Sequence, residues 1–276
     1  RLSSSCSGVR APTIIAVTPN VCRFFLRVAP ATGLLLPRVR RLETGGLPLY
    51  AEEKRAILAR VTPNLYEVYG SSAAGIISAL DGSDMITHSD SVGRPAPGID
   101  VSIVDGAGRA LPAGVAGEIR LRPLMAQERC RESGEPHSSG ERIADGWCYT
   151  GDIGHLSAEG YLYLKGRGTD LIRRGGIEIF APEIEAVLVA HPAVADAAVI
   201  GVPVVGRGDQ VVAFIVKQGE LAHDDIARHC RARLQASQLP DRVFYLDALP
   251  RIPGGKVNRL RLLETAVDQI KRSGNI

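Results

Sequence analysis

The sequence predicts an α/β layer at its start, a small antiparallel sheet or barrel in its middle, and a compact α+β block at its end. Three observations support this prediction. Strand and helix patterns alternate up to about residue 73, short alternating runs separated by turns begin near residue 89, and helices and strands mix after residue 169. We therefore predict three parts, over residues 1–88, 89–168 and 169–276.

The first part has the order strand, helix, strand, helix, strand. Its predicted strands span residues 12–17, 39–42 and 65–68, and its predicted helices span residues 21–28 and 51–61. This order is typical of parallel α/β sheets, which bind ligands at the carboxyl ends of their strands. The double glycine Gly45-Gly46 and the segment 69–72 lie at such ends.

The middle part has short runs in which apolar and polar residues alternate. They predict strands at residues 101–104, 118–122 and 161–165, with glycine-containing turns between them. An antiparallel sheet or small barrel is the architecture that such runs favour. The polar stretch 126–146 predicts a surface segment with one short helix.

The last part begins with a charged turn, a short strand and a double glycine, followed by a helix start at Pro182-Glu183. Proline suits the first helical turn, and an acidic residue there suits the helix dipole. Predicted helices span residues 182–191, 221–236 and 258–270, and predicted strands span residues 194–202, 210–217 and 242–246. We expect a hinge in the segment 166–185, where the middle and last parts meet.

Composition excludes several classes of protein. The net charge is only +3 and the arginines are spread along the chain, which argues against nucleic-acid binding. No apolar run is long enough to cross a bilayer. The five cysteines show no CxxC pairing, so we expect reduced thiols, no metal site and a cytoplasmic location. The chain opens with arginine and carries no signal-peptide pattern, so we expect that its natural start is missing.

Three motifs occur in a defined order along the chain. They are Gly-Trp-Cys-Tyr-Thr-Gly-Asp at 146–152, the segment Gly-Arg-Gly-Thr-Asp through Glu-Ile-Glu at 166–185, and Pro-Arg-Ile-Pro-Gly-Gly-Lys-Val-Asn-Arg at 250–259. With weaker support from residues 44–49 and 117–121, the chain resembles the carboxyl-terminal half of the adenylate-forming superfamily over nearly all of residues 12–270. That superfamily contains acyl- and aryl-CoA synthetases, peptide-synthetase adenylation domains and luciferases. The resemblance implies the remainder of a large α/β adenylation domain with a small β-barrel subdomain, and then a mobile α+β domain.

The resemblance implies a nucleotide site. Asp152 matches the aspartate that holds the ribose hydroxyls, and a carboxylate suits this role because it offers two acceptor oxygens. Arg167 matches an arginine that contacts the nucleotide. The other matching positions form the loop under adenine, the aromatic residue that stacks on it and the segment that follows: Gly45, Gly46, Leu47, Tyr69, Gly70 and Ser72. Judged alone, Asp152 also fits an ordinary turn, Arg167 a surface position and Tyr69 the core.

The resemblance also implies residues for two successive steps. Lys256 matches the catalytic lysine that bridges carboxylate and α-phosphate, where an ammonium neutralises charge as the carboxylate attacks phosphorus. Its alternative is a solvated surface lysine. Thr169 matches the hinge, although a β-branched residue is stiff there. Gly175 and Gly176 match the turn beside which the pantetheine arm of CoA passes, and they also fit a plain hairpin turn.

Several positions depart from the family pattern or leave the substrate open. Ala73 stands where the family has a glutamate that helps hold Mg²⁺, so Mg²⁺ binding is in doubt. The family's glycine-rich phosphate loop is absent ahead of residue 12, so we expect the chain alone to be inactive. The candidate acyl pocket includes Phe24, Gly75 and Gly93, whose apolar or small character favours an aromatic or aliphatic acid.

The function that the resemblance implies is that of an AMP-forming acid–CoA ligase, with a carboxylic acid, ATP, Mg²⁺ and CoA as substrates and cofactors. One alternative keeps adenylation but transfers the acyl group to the thiol of a carrier protein. Another is a degenerate relative that binds a nucleotide or a partner without turnover, which Ala73 favours. The sequence is also compatible with a homodimer.

Overall fold

The computed structural model describes residues 13–71, 74–123, 142–204, 208–253 and 255–272. They form two units, one of residues up to 150 with 154–164, and one of residues 151–153 with those from 165 onward. The predicted division into three parts stays a prediction. Ser72, Ala73 and residues 126–141 of the polar stretch 126–146 lie outside the described residues, so the short helix expected in that stretch stays a prediction.

The first unit contains a five-stranded mixed sheet. Its strands, in their order across the sheet, are β1 (Ile14–Val17), β2 (Arg41–Gly45), β3 (Leu65–Ser71), β4 (Gly75–Asp81) and β5 (Arg94–Pro95). The helices α1 (Pro19–Val28) and α2 (Ala51–Arg60) connect β1, β2 and β3, which are parallel as predicted. β4 and β5 pair antiparallel to their neighbours. The prediction missed β4 because its buried and exposed residues do not alternate cleanly.

A buried apolar cluster holds the two helices against this sheet. Leu42 and Leu65 from the strands pack with Cys22 of α1 and with Ile57 of α2, all fully buried. α1 begins at Pro19, where the missing N–H of proline removes no helical hydrogen bond. The helix therefore starts two residues earlier than the apolar pattern alone predicts.

A second five-stranded sheet follows. Its strands are β6 (Ile99–Val104), β7 (Gly117–Pro123), β8 (Arg142–Ala144), β9 (Trp147–Leu156) and β10 (Leu162–Arg167). Their order is β10-β9-β7-β6, with β8 paired to β9. The pairs β6–β7 and β8–β9 are antiparallel, which confirms the antiparallel prediction for this stretch. The middle of β9 and the end of β10 belong to the second unit.

The second unit contains a third sheet and three helices. Its elements in chain order are β11 (Leu171–Arg174), β12 (Ile177–Phe180), α3 (Ala181–Val189), β13 (Val194–Val204), β14 (Gly208–Lys217), α4 (His223–Arg231), β15 (Arg242–Leu246) and α5 (Arg259–Arg272). The sheet order is β12-β11-β14-β13, with β15 parallel to β14. This mixture of helices and strands confirms the predicted α+β block.

Both faces of the third sheet are covered. Alternate residues of β13 contribute to two different cores, with Val199 in the core that contains α3 and α4 residues, and Ile200 in the core that contains α5 residues. Each strand residue points to the face opposite its neighbour, so a strand buried on both faces is apolar throughout. The apolar residues of the runs at 194–202 and 210–217 are therefore divided between two cores.

Two predictions in this unit were wrong in detail. The helix predicted over residues 221–236 is only His223–Arg231, because the Arg233 N–H donates to the Cys230 carbonyl three residues back and the backbone at Gln235 is extended. Leu221 and Leu234 still pack on the same core from outside the helix, which explains the longer apolar pattern. The strand β12 was not predicted, because only four residues lie between the glycine turn and the helix start, too few to show a clear pattern.

In the described part of the chain, no helix is long and apolar enough to cross a membrane.

Candidate functional site

The double glycine at the end of β2 has two different structural causes. A Cβ at Gly45 would lie 2.3 Å from the carbonyl oxygen of Val68, so glycine lets β2 approach β3 closely. Gly46 has a φ of +81° and no atom within 4 Å of the place of a Cβ, so its backbone conformation requires glycine and its outer side is open. The half-buried Leu47 follows. The open backbone at Gly46 is what a flat base needs, and the adenine role of this loop stays a prediction.

Tyr69 and Gly70 lie near the end of β3. The Tyr69 side chain is 9% exposed and packs with Ile77 and Leu121 in a buried cluster. This burial matches the core interpretation that the sequence left open, and stacking on a base stays a prediction. A Cβ at Gly70 would lie 2.2 Å from the Gly75 carbonyl oxygen, so the close pairing of β3 and β4 requires that glycine. Ser72 lies outside the described residues.

The structure brings Asp152 and Arg167 together. They lie on β9 and at the end of β10, which are neighbouring strands. Arg167 Nε is 3.2 Å from Asp152 Oδ1, and the side chains are 34% and 14% exposed. A carboxylate and a guanidinium that are both partly open to solvent offer acceptors for hydroxyls and donors for phosphate or ring atoms. Their nucleotide roles stay predictions.

Lys256 lies on a short hairpin whose backbone is hydrogen-bonded. Arg251 and Val257 form an antiparallel bridge, and the Ile252 N–H donates to the Lys256 carbonyl at 2.9 Å. The Gly255 N–H donates to the Ile252 carbonyl at 3.0 Å. The Lys256 side chain is exposed, and its ammonium makes no ion pair or hydrogen bond with any residue that the structure describes. The hairpin therefore presents an exposed ammonium on a hydrogen-bonded backbone.

Thr169 lies in a single 3-10 turn, Gly168–Asp170, between two strands. Its hydroxyl is 3.3 Å from Asp170 Oδ1. Asp170 in turn pairs with Arg259, whose Nε lies 2.9 Å from Asp170 Oδ2. A connection of one turn between two strands can rotate with the loss of few backbone hydrogen bonds, which is compatible with a hinge. The hinge role of Thr169 stays a prediction.

Gly175 and Gly176 form the two-residue turn between β11 and β12. The register pairs Arg174 with Ile177, and the φ angles of the glycines are +57° and +82°. Two-residue hairpin turns with positive φ at both central positions strongly favour glycine. No atom lies within 4 Å of the place of a Cβ at either glycine. The hairpin explains the pair, and its open outer side leaves the CoA role as a prediction.

The three acyl-pocket candidates differ in their surroundings. Phe24 is 56% exposed on α1, and Gly75 has a φ of +72° with open space where a Cβ would be. A Cβ at Gly93 would lie 1.8 Å from the carbonyl oxygen of Ala79, so packing against β4 accounts for that glycine without a ligand. Their role in holding an acyl group stays a prediction.

Two buried charged contacts were missed by the sequence interpretation. Lys54 of α2 pairs with Glu67 of β3, and Glu185 of α3 pairs with Arg259 of α5. Burial raises the pKa of both carboxyls, and the partner cations oppose that shift. A signal existed: Lys54 has the helical spacing of the apolar residues Ile57 and Val61, and Glu185 lies between the buried residues Ile184 and Leu188.

A magnesium site does not arise from the described residues. Among them, no group of three or more histidine, cysteine, aspartate or glutamate side chains can hold a metal ion. Ala73, where the family has its glutamate, lies outside them. We therefore derive no step of the reaction through Mg²⁺.

Two family models match the chain. The model described as AMP-binding enzyme matches residues 9–124, and the model described as AMP-binding enzyme C-terminal domain matches residues 183–256. Together they cover more than half of the chain, in the order that the sequence motifs predict. The second match ends at Lys256.

Curated proteins and solved structures agree with these matches. The fatty acid–[acyl-carrier-protein] ligase ScoC of Streptomyces coeruleorubidus is 30% identical over 91% of this chain and 49% of its own length. A 2-succinylbenzoate–CoA ligase of Bacillus cereus is 36% identical over 72% of this chain and 41% of its own. The structure of o-succinylbenzoate CoA synthetase from Bacillus subtilis with its acyl-adenylate intermediate has a TM-score of 0.78 and 28% identity, over 91% of this chain and 50% of that one. The chain thus spans about half the length of the relatives it matches.

Proposed function

The chain belongs to the adenylate-forming superfamily, and on this premise we propose that it serves an AMP-forming ligase that joins a carboxylic acid to the thiol of coenzyme A. ATP and the acid are the substrates of the first step, and CoA is the substrate of the second. A cytoplasmic location and a homodimer are further parts of the proposal.

The observation that carries the proposal is the hairpin of Lys256. Its exposed ammonium has no counter-ion among the described residues, while its backbone is held by hydrogen bonds. Surface lysines on flexible loops keep no fixed place, whereas an ordered hairpin returns its ammonium to one region. A cation presented in this way suits a reaction in which negative charge develops on phosphate.

In the first step a carboxylate oxygen attacks the α-phosphorus of ATP. A bond forms between that oxygen and phosphorus, the bond to pyrophosphate breaks, and an acyl-adenylate results. Lys256 would lie between the attacking carboxylate and the α-phosphate and reduce the repulsion between the two anions. In the second step the thiol sulfur attacks the acyl carbon, AMP leaves, and the thiol proton passes to solvent.

The remaining site residues would hold the nucleotide. Asp152 would accept hydrogen bonds from the ribose hydroxyls, and Arg167, whose Nε lies 3.2 Å from Asp152 Oδ1, would orient that carboxylate. Gly46 would lie against adenine, since no side chain fills the space beside it. Thr169 would be the hinge between the two steps, and the open turn at Gly175 and Gly176 would lie beside the CoA arm.

Two alternatives remain, each with one observation in its favour. Transfer to a carrier-protein thiol is favoured by the similarity to a fatty acid–[acyl-carrier-protein] ligase over 91% of the chain. A relative that binds a nucleotide without turnover is favoured by Ala73, which removes a carboxylate from the family's Mg²⁺ position. Both would use the same Asp152–Arg167 pair for the nucleotide.

The test is exchange of labelled pyrophosphate into ATP with a panel of carboxylic acids, run on the protein as it is encoded. We expect exchange with an aromatic or aliphatic acid and then thioester formation with CoA. Exchange followed by transfer only to a carrier protein would support the first alternative. No exchange with any acid, combined with measurable ATP or AMP binding, would support the second.

A further inference from the structure

The hairpin of Lys256 and the turn of Thr169 are joined by one side chain. We propose that Arg259 is a positioning residue, whose guanidinium ties the Lys256 hairpin to Asp170 and thereby sets the place of the Lys256 ammonium during adenylation. The inference rests on the proposed function of Lys256. It concerns residues of the second unit only.

Three contacts fix the Arg259 guanidinium in the second unit. Its Nε lies 2.9 Å from Asp170 Oδ2, its Nη2 lies 2.9 Å from Glu185 Oε1, and its Nη1 donates to the carbonyl oxygen of Val199 at 2.5 Å. Arginine has a planar fork of donors, so three partners around one guanidinium fix its position and its orientation. The side chain thus joins the turn after β10 to α3 and β13.

Glu185 makes this anchor rigid. Its side chain is 7% exposed, and the same oxygen that contacts Arg259 accepts the Val199 N–H at 2.8 Å. A buried carboxylate with two donors on one oxygen has little freedom to move, and burial keeps solvent from replacing the arginine. The buried Glu185 therefore fixes one side of the Arg259 guanidinium, and the Nε of Arg259 contacts Asp170.

The hairpin connects to this anchor at both of its ends. Arg259 is the first residue of α5, and Asn258 before it donates its N–H to the Pro250 carbonyl at 2.8 Å. At the other end of the hairpin, Arg251 donates to the Gly255 carbonyl and to Asp196 Oδ2. Each end of the hairpin thus carries an arginine that is hydrogen-bonded to a residue of β13. Of these two arginines, Arg259 also contacts Asp170 in the turn of Thr169.

The position of an ammonium matters for the rate of adenylation. A displacement of about 1 Å of a group that stabilises a transition state lowers a rate by about 100-fold. Thioester formation from preformed acyl-adenylate does not use Lys256 in the proposed mechanism. A positioning role of Arg259 therefore changes the first step alone, whereas a general loss of structure changes both.

Two conservative variants test this role. Arg259→Ala would leave Glu185 buried without a cation, which endangers folding. Arg259→Lys keeps the charge and loses the fork, and Asp170→Asn removes only the charge at the turn and leaves the Arg259–Glu185 contact. The matched control is Arg261→Ala, in the same helical turn, whose ion pair with Glu264 is exposed.

We expect Arg259→Lys and Asp170→Asn to lower the turnover number of pyrophosphate exchange by about 10- to 100-fold. The KM for ATP and the rate of thioester formation from acyl-adenylate should stay within about threefold of the wild-type values, as should every parameter of Arg261→Ala. Equal losses in both steps, or unchanged exchange in both variants, would overturn the proposal.

A second measurement separates this proposal from the proposed function. Amide hydrogen exchange at Ile252 and Gly255 reports whether the hairpin is ordered, without any substrate. We expect faster exchange at these amides in both variants and unchanged exchange in β14. If the wild-type protein shows no pyrophosphate exchange, the proposed function fails. The amide exchange rates then test by themselves whether Arg259 orders the hairpin.

Discussion

The ammonium of Lys54 lies 2.5 Å from Glu67 Oε2, and the two side chains are 2% and 6% exposed. The same ammonium donates to the Ser91 carbonyl at 2.9 Å. One buried cation therefore connects α2, β3 and the segment that leads to Gly93. The predicted adenine loop directly precedes α2 in the chain, so this contact anchors the helix that follows the loop.

The first prediction concerns the contribution of the Lys54–Glu67 pair to the free energy of unfolding. Lys54→Met should lower the free energy of unfolding by about 3–5 kcal/mol, because it leaves the Glu67 carboxylate buried without a cation. Lys54→Met combined with Glu67→Leu should be within about 1 kcal/mol of the wild type or more stable, because no buried charge remains. Urea denaturation of both single variants and the double variant gives the coupling energy.

The control for this cycle is Asp100→Asn, which breaks an exposed ion pair with Arg122. It should change the free energy of unfolding by less than about 1 kcal/mol. Equal effects of the buried and the exposed substitution would show that burial of the Lys54–Glu67 pair does not determine its energy.

The second prediction concerns Lys256. Lys256→Ala should lower pyrophosphate exchange by at least about 100-fold, since it removes the cation that opposes charge at the α-phosphate. Thioester formation from added acyl-adenylate should remain within about threefold of wild type. Lys271→Ala, at an exposed position of α5, is the control and should leave both rates unchanged. Undiminished exchange in Lys256→Ala would remove the basis of the proposed function.

The third prediction concerns the turn of Gly175 and Gly176. Gly176→Ala should destabilise the second unit by about 1–2 kcal/mol, because its φ of +82° is strained for a residue with a Cβ. If the CoA arm passes this turn, the KM for CoA should rise while pyrophosphate exchange stays constant. Gly106→Ala provides the control, since the place of its Cβ is open and its φ is not positive. A rise in the KM for ATP instead of CoA would argue against the proposed role.

The fourth prediction separates two kinds of glycine in the first unit. Gly93→Ala should cost about 3 kcal/mol or more, because its Cβ would overlap the Ala79 carbonyl and its φ is +91°. Gly46→Ala should cost about 1–2 kcal/mol, since only its φ of +81° is unfavourable. Thermal or urea unfolding measures both. The reverse order of stability would contradict the packing that we describe at Gly93.

The fifth prediction is a pH dependence. Burial raises the pKa of the Glu185 carboxyl above its ordinary value of 4.5, with Arg259 and the Val199 N–H opposing the shift. A carboxyl with a raised pKa in the folded state binds its proton more tightly there, so its contribution to stability is largest at low pH. That contribution declines as the pH rises from about 4.5 through the raised value.

Glu185→Gln removes this titration and keeps the shape of the side chain. The free energy of unfolding of the wild type minus that of Glu185→Gln should therefore fall as the pH rises from about 4.5, and become constant above the raised pKa. Urea denaturation at a series of pH values measures the difference. A difference that grows with pH would show that Arg259 outweighs burial at this carboxyl.

Much of the secondary structure was predictable because it depends on local pattern. The parallel order of β1, β2 and β3 followed from strand and helix alternation, and the existence of β13 followed from its largely apolar run. The prediction failed for β4, whose burial does not alternate, and for the end of α4, whose apolar pattern continues beyond the helix. In both places tertiary packing outweighed periodicity.

The sequence by itself determined the alternation of strands and helices at the start of the chain, the superfamily, and Lys256, Asp152 and Arg167 as candidate residues, because motifs and periodicity are properties of neighbouring residues. Only the tertiary structure decided that Lys54 meets Glu67 and that Arg259 meets both Asp170 and Glu185. Those partners are distant in the chain, and pairing them depends on strand register and helix packing. Each buried charge was visible in the sequence as a polar residue on an apolar face, but its partner was not.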